Sequence, residues 1–335
     1  MKVLCICRAS VSDGLGHLMR CMTFSDKLVH LHPEIDLRFM LVTDLALEHH
    51  LIDKPYKYTI SSELATAAIA DDNDILFLDL LSLSSSQIND LKSRCKRVVS
   101  LSPIFNQMSS CDVLVTRTKY LGGDKSHLPP RVLAGLQYAI IRANVQKINT
   151  AKYSANMDRS SLHVGISMGG TDPLNHTLNV VKHLKQVDIP VVFWVLLGES
   201  YTYHYDALVA EIKGHSKHEM ILARTNKNMW EVLGNCDMAI LTGGLTSYEA
   251  AYAGLPAINY FSDKKKGYLV RELEEENLCL ETCYDFALLP QLLINYYEAK
   301  NQLLAVNERA QEYRPLAVLD MKQILTVGAQ KTNTP

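Results

Sequence analysis

The chain has 335 residues, of which 47% are hydrophobic and 21% charged, with a formal net charge of −2. At roughly 100–200 residues per domain this length favours two domains, and the composition excludes disordered and fibrous chains. The balanced charge leaves no broad basic field for nucleic acid or an anionic membrane, and no run of about 18 apolar residues marks an integral membrane segment. The start, Met1–Cys7, carries one lysine and a short apolar run, so it reads as a buried first strand rather than a signal peptide. Further candidate strands in the first half are Leu37–Val42, Ile75–Leu80, Arg97–Ser100 and Val113–Val115, after Val3–Cys7 itself. Helical patterns fall between them at Leu18–Leu31 and Gln87–Ser93. A polar stretch, Asn149–Ser160, interrupts the pattern, which restarts with strands at Leu162–Ser167, Val191–Leu197, Met220–Ala223, Met238–Leu241 and Ala257–Tyr260. Its helices are expected at Leu174–Leu184, Trp230–Leu233, Ser247–Ala253 and Tyr268–Glu276, and one or two more from Phe286 to about Arg314. Such β-α alternation predicts parallel sheets covered by helices on both faces. The expectation is two α/β domains, residues 1–155 and 156–335, with a ligand cleft at the carboxyl ends of their strands.

The eight cysteines, Cys5, Cys7, Cys21, Cys95, Cys111, Cys236, Cys279 and Cys283, include no CxxC pair, and several sit inside apolar runs. They read as structural thiols in a reducing cytoplasm. His49-His50 and the other scattered histidines share no ligand spacing, and no HExxH is present, so no metal is expected. The absence of a P-loop and of a GxSxG elbow argues against NTP hydrolysis of that kind and against a serine hydrolase.

Three glycine turns carry the chemistry. Asp13-Gly14-Leu15-Gly16-His17-Leu18-Met19-Arg20 follows the first strand and opens a helix. The glycines permit a tight turn, and the helix start presents unpaired N–H groups to an anion. His17 and Arg20, three apart, share one helix face as an acid–base group and a fixed cation. Met19 stands where the dinucleotide fingerprint needs glycine, which argues against a nicotinamide cofactor. The second turn is Ser167-Met168-Gly169-Gly170-Thr171-Asp172-Pro173, with Asp172 expected as N-cap and Pro173 at the first helical position. The third is Thr242-Gly243-Gly244-Leu245-Thr246-Ser247-Tyr248-Glu249, a phosphate cradle at a helix start. Glu249 can take two ribose hydroxyls there, or close a capping box with Thr246. That helix is expected to end at Gly254.

GxGHxxR after strand one, MGGTD opening the second domain, and GGxTxxE followed by AxxAGLP together resemble the PseG/SpsG group, MurG-like proteins of the GT-B superfamily acting on UDP-sugars. The resemblance runs over roughly residues 1–285, and Gly135–Arg142 is similar to the group's GxxYAxxR segment. It implies a GT-B fold of two Rossmann-like domains with a cleft between them, and a cytoplasmic UDP-sugar hydrolase with no cofactor. The substrate would be a UDP-activated amino or deoxy sugar of a surface-glycan pathway such as pseudaminic acid biosynthesis. His17 would activate water at the anomeric carbon. Asp13, Gly14, Gly16, Arg20, Asp79, Tyr138, Arg142, Gly169, Gly170 and Thr171 would contact the substrate. Diphosphate would lie on Gly243, Gly244, Leu245, Thr246 and Ser247, ribose on Glu249, and uracil against Thr225–Met229, including Asn228 and Met229. There are departures: Leu81 and Ser86 replace a tyrosine and an acid after Asp79, Leu245 replaces a hydroxyl, and Tyr260–Lys264 lacks the usual Asn-Gln, so that the UDP side is largely intact and the sugar side has changed. A GT-B glycosyltransferase using a UDP-sugar donor is the alternative enzyme, and a non-catalytic UDP-sugar-binding subunit the alternative without chemistry.

Overall fold

Apolar runs with little alternation form strands buried on both faces, and the computed structural model contains two all-parallel sheets built from them. It describes residues 1–122, 127–214, 217–225, 228–315 and 324. The chain divides into two compact units, one of Met1–Ile140 with the residues from Pro315, the other Ile141–Arg314.

The first unit holds β1 (Lys2–Ala9), α1 (Gly16–Leu31), β2 (Asp36–Thr43), β3 (Lys57–Ser61), β4 (Asn73–Asp79), α2 (Ser85–Ser93), β5 (Cys95–Ser100), β6 (Val113–Thr116) and β7 (Arg131–Ala134). Its strand order is β3-β2-β1-β4-β5-β6-β7. Successive residues of β1 serve opposite layers. Val3, Cys5, Cys7 and Ala9 pack with Leu18, Cys21 and Phe24 of α1. Leu4 and Ile6 pack with Ile88 and Leu91 of α2. The α2 helix starts at a capping box, in which Ser84 Oγ accepts from the Gln87 N–H and Gln87 Oε1 accepts from the Ser84 N–H.

The second unit runs α3 (Thr150–Met157), β8 (Leu162–Ser167), α4 (His176–Leu184), β9 (Val191–Leu197), α5 (Tyr205–Lys213), β10 (Glu219–Arg224), α6 (Met229–Leu233), β11 (Met238–Thr242), α7 (Leu245–Ala253), β12 (Ala257–Tyr260), α8 (Tyr268–Glu275), β13 (Thr282–Cys283), α9 (Leu289–Glu298) and α10 (Lys300–Ala310). The strand order is β10-β9-β8-β11-β12-β13. Gly254 ends α7 at φ 80°, as the glycine predicts, and the Asn307 side-chain amide of α10 donates to its carbonyl at 2.8 Å.

The units divide at Ile140–Ile141, whereas the sequence reading puts the junction near residue 155. The polar stretch read as aperiodic contains α3: Asn149 Oδ1 accepts from the Ala151 N–H at 2.9 Å, and the Tyr153 hydroxyl donates to the Asp237 carbonyl at 2.5 Å. These contacts bind 149–157 to the second unit. All eight cysteines are free thiols, and Cys95 alone among them is not buried. No described helix is long and apolar enough to cross a membrane.

Candidate active site

In open α/β sheets, ligands bind beyond the carboxyl ends of the strands where the strand order reverses. In the first unit that point lies between β1 and β4, which are hydrogen-bonded neighbours with Cys7 opposite Asp79. The turn after β1 is closed by the Gly14 N–H on the Ser10 carbonyl, with Gly14 at φ 75°. The Asp13 N–H donates to Ser10 Oγ. The turn delivers Gly16 and His17 to the start of α1, whose first turn has no side-chain cap and no acidic residue.

Asp79 is fully buried, and His17, Arg20 and Ser102 all bond to it. His17 Nδ1 lies 2.6 Å from Asp79 Oδ1. Arg20 grips the carboxylate in bidentate fashion, Nε to Oδ2 at 2.6 Å and Nη2 to Oδ1 at 2.5 Å. Ser102 Oγ donates to Oδ1 at 2.7 Å. A carboxylate only accepts here, so the proton on His17 sits on Nδ1. The 3.2 Å approach of Arg20 Nη2 to Nδ1 is then a contact of two donors. That leaves Nε2 as the ring nitrogen not bonded to Asp79, the atom through which a general base would act. Burial alone would raise the Asp79 pKa, but Arg20 and His17 hold it well below the usual carboxylate range. The same pairing raises Arg20 against the penalty of its own burial.

The i, i+3 reading of His17 and Arg20 thus holds, with a different consequence for the substrate contacts expected at Arg20 and Asp79. Arg20 is 9% exposed, and its guanidinium is spent on Asp79, whose oxygens are taken in turn. Both hold His17 in place. Ser102 carried no sequence signal. It lies two residues beyond β5, where the Leu101 N–H extends the ladder to the Leu78 carbonyl and Ser100 Oγ donates to the Ser102 carbonyl. Tyr138, in the 3-10 turn after Gly135 (φ 126°), packs against the apolar layer under α1. Leu81 and Phe105 stand 43% and 48% exposed on the loops after β4 and β5. Asn106 joins these loops, its Nδ2 donating to the Leu83 carbonyl at 2.7 Å.

In the second unit the reversal lies between β8 and β11. Two of the glycine turns leave from these strands. The loop after β8 carries left-handed Gly169 (φ 97°), Asp172 (φ 45°) and Asn175 (φ 52°). A Cβ on Gly198 would lie 2.3 Å from the Gly170 carbonyl oxygen, so two backbones meet there. Thr171 is buried. Asp172 is not the N-cap, because α4 begins at His176 after Asn175, leaving Pro173 outside the helix. The Asp172 carboxylate still accepts from the His176 and Thr177 N–H groups, at 2.7 and 2.9 Å. The start of α4 therefore already holds an anion of the chain's own.

The α7 start is different. Gly244 is its N-cap, no side chain caps it, and its first turn is Leu245, Thr246 and Ser247 without an acidic residue. Ser247 Oγ turns back to the Thr242 carbonyl. Gly243 is required by space, since a Cβ would fall 1.6 Å from Phe261 Cζ. Glu249 lies in the second turn, too far along for a capping box with Thr246. It is fully buried: Arg142 Nε reaches Oε1 at 2.6 Å and Nη2 reaches Oε2 at 2.5 Å, and the Trp230 indole N–H donates to Oε2 at 3.3 Å. Arg142 and Glu249, both expected at the substrate, are thus brought together as a bidentate pair. Met229 is buried, its sulfur accepting from Ser167 Oγ, and Asn228 is the N-cap position of α6. Residues 226 and 227 of the expected uracil segment lie outside the described residues.

No protein-family model matches the chain. Among curated proteins, the uncharacterized protein MJ1062 of Methanocaldococcus jannaschii is 24% identical over 298 residues. That match covers 85% of this chain but 58% of the relative, so the chain spans less than two thirds of it. Solved structures with similar folds include Acinetobacter baumannii MurG, at 13% identity and TM-score 0.59 over 98% of this chain and 99% of that one. The Anabaena Alr3699/HepE complex with UDP-glucose matches at 12% identity and TM-score 0.61, covering 94% and 96%. Phytolacca americana UGT2 with UDP-2fluoro-glucose and pterostilbene matches at 11% identity and TM-score 0.59, covering 92% and 93%. Identities this low speak to fold alone, and that fold is GT-B: two Rossmann-like α/β units.

Proposed function

We propose that the chain is an enzyme of UDP-activated amino or deoxy sugars, cleaving the anomeric bond to release UDP, as its resemblance to the PseG/SpsG group implies. The observation that carries this reading is the His17–Asp79 pair, 2.6 Å apart and clamped by Arg20, with Nε2 of the ring as the available base. In the hydrolytic reaction His17 takes a proton from water as its oxygen attacks the anomeric carbon, and the bonding pair of the departing C–O bond leaves with UDP. The second unit binds the nucleotide. Its diphosphate sits on the uncapped N–H groups of Leu245–Ser247, Gly243 and Gly244 permit close approach, and helix dipole and amides offset the leaving-group charge. The Gly169–Thr171 loop lines the same end of the sheet. Asp13, Gly14 and Gly16 shape the entrance beside His17, and the released sugar feeds a surface glycan.

Glycosyl transfer is the second reading. Leu81 and Phe105, exposed on the loops that follow Asp79 and lead on from Ser102, favour an acceptor with an apolar part. Both reactions break the same bond and differ in what reaches the anomeric carbon. The deciding experiment is UDP release from a panel of UDP-HexNAc derivatives with no acceptor present. Release that His17→Ala abolishes supports hydrolysis. Release only with an added acceptor selects transfer, and UDP binding with neither product leaves a non-catalytic binding subunit.

A further inference from the structure

We propose that Ser102 is a positioning residue for His17, acting through Asp79 by sharing Oδ1 with the His17 Nδ1–H and so setting how strongly the carboxylate holds the ring. The inference rests on the reading of His17 as the base. Three donors converge on Asp79 Oδ1: His17 Nδ1–H at 2.6 Å, Arg20 Nη2–H at 2.5 Å and Ser102 Oγ–H at 2.7 Å. A carboxylate oxygen has about two lone-pair sites, so the three compete. Oδ2 has the Arg20 Nε–H at 2.6 Å, with the Cys21 thiol 4.0 Å away. Cys5 and Cys7 of β1 are further titratable groups against this cluster. Ser102 is the member of the donor set that carries no charge in either state of the ring, and it is itself buried with its backbone fixed by Ser100.

Two consequences separate Ser102 from Arg20. Removing the serine hydroxyl leaves Asp79 bidentately held, so the carboxylate stays in place. It also leaves two donors for the two sites on Oδ1, so more of the carboxylate charge falls on His17. The protonated imidazolium is then favoured, and less free base is present at a given pH. A net hydrogen bond of ordinary strength corresponds to a shift of about half a pH unit.

The test is an NMR titration of the substrate-free full chain with isotope-labelled histidine, the His17 signal being assigned by its loss in His17→Ala. Ser102→Ala moves the His17 titration midpoint up by about half a pH unit, and Ser102→Thr, which keeps the donor, returns it to the wild-type position. Ser102→Cys is nearly isosteric and a weaker donor, and it carries the same upward shift should the alanine variant not fold. A midpoint unchanged or lowered in Ser102→Ala or Ser102→Cys overturns the assignment, as does a threonine variant that shifts like alanine. The acidic limb of UDP release should move with the ring titration. A ring shift in a chain that turns over no UDP-sugar supports the Ser102 role and removes the hydrolase reading, so the two failures are distinguishable.

Discussion

Replacing Asp79 by Asn should destabilise the protein by about 3–5 kcal/mol, the cost of breaking a buried ion pair from one side. The size follows from burial: Asp79 is 0% and Arg20 9% exposed, and the guanidinium faces the carboxylate through two bonds of 2.5–2.6 Å. Asn keeps the volume but leaves a desolvated cation with no counter-charge. Arg20→Met should cost a comparable amount, because it leaves Asp79 with His17 and Ser102 alone. The double variant buries neither charge, so its cost should fall short of the sum by about 2–3 kcal/mol. Urea denaturation of the four proteins at pH 7 measures this directly. The folded pKa of Asp79 is depressed, so its stabilisation is present above the ordinary carboxylate value of about 4 and is lost as pH falls through the folded value. Wild type should weaken on acidification below about pH 4 more steeply than Asp79→Asn. Additive costs, within about 0.5 kcal/mol, would refute the claim of a desolvated pair, and with it the account of how His17 is oriented.

Four further outcomes are expected. His17→Ala should abolish UDP release while UDP affinity, by calorimetry, stays within about threefold; surviving turnover assigns the proton transfer elsewhere. Glu249→Gln strips the charge from a buried partner of Arg142 and should cost about 3 kcal/mol or more in urea; a neutral effect contradicts the pairing. Gly243→Ala forces its methyl onto the Phe261 ring and should cost about 1–3 kcal/mol, partly restored by Phe261→Ala in the double variant; equal costs in single and double variants exclude that contact as the reason for glycine. Asp237, whose pKa burial pushes up to about 6, makes stability fall by about 3 kcal/mol as pH rises from about 4 through 6, and Asp237→Asn should flatten that slope in thermal melts recorded across the range.

Sequence patterning located strands where apolar residues run nearly unbroken, whether largely sealed as in β1 and β4 or half-buried as in β10. It passed over β3, whose Lys57-Tyr58-Thr59-Ile60-Ser61 is half-exposed at the sheet edge, and β13, two residues held by pairing to β12. It also passed over α3, a helix set by the Asn149 cap and by Tyr153 reaching the Asp237 carbonyl rather than by a hydrophobic stripe. The site divides the same way. Glycine turns and the His17–Arg20 spacing are local facts, and a sequence displays them. The Arg142–Glu249 pair spans 107 residues, and Ser102 meets Asp79 because β5 adjoins β4. Such partners exist only once the sheet has formed. Asp172 shows the limit of cap rules: the residue type was right, but three left-handed positions between Gly169 and Asn175 moved the helix start three residues on.

The central claim is that an Asp79-oriented His17 delivers water to the anomeric carbon of a UDP-sugar. The most direct measurement is UDP release by the full chain from UDP-HexNAc derivatives in oxygen-18 water, without acceptor, for wild type and His17→Ala. The account predicts UDP release by wild type alone, with the isotope in the freed sugar and none in UDP. Isotope in the phosphate would mean attack at phosphorus, and release undiminished in His17→Ala would mean that His17 is not the base; either result contradicts the account.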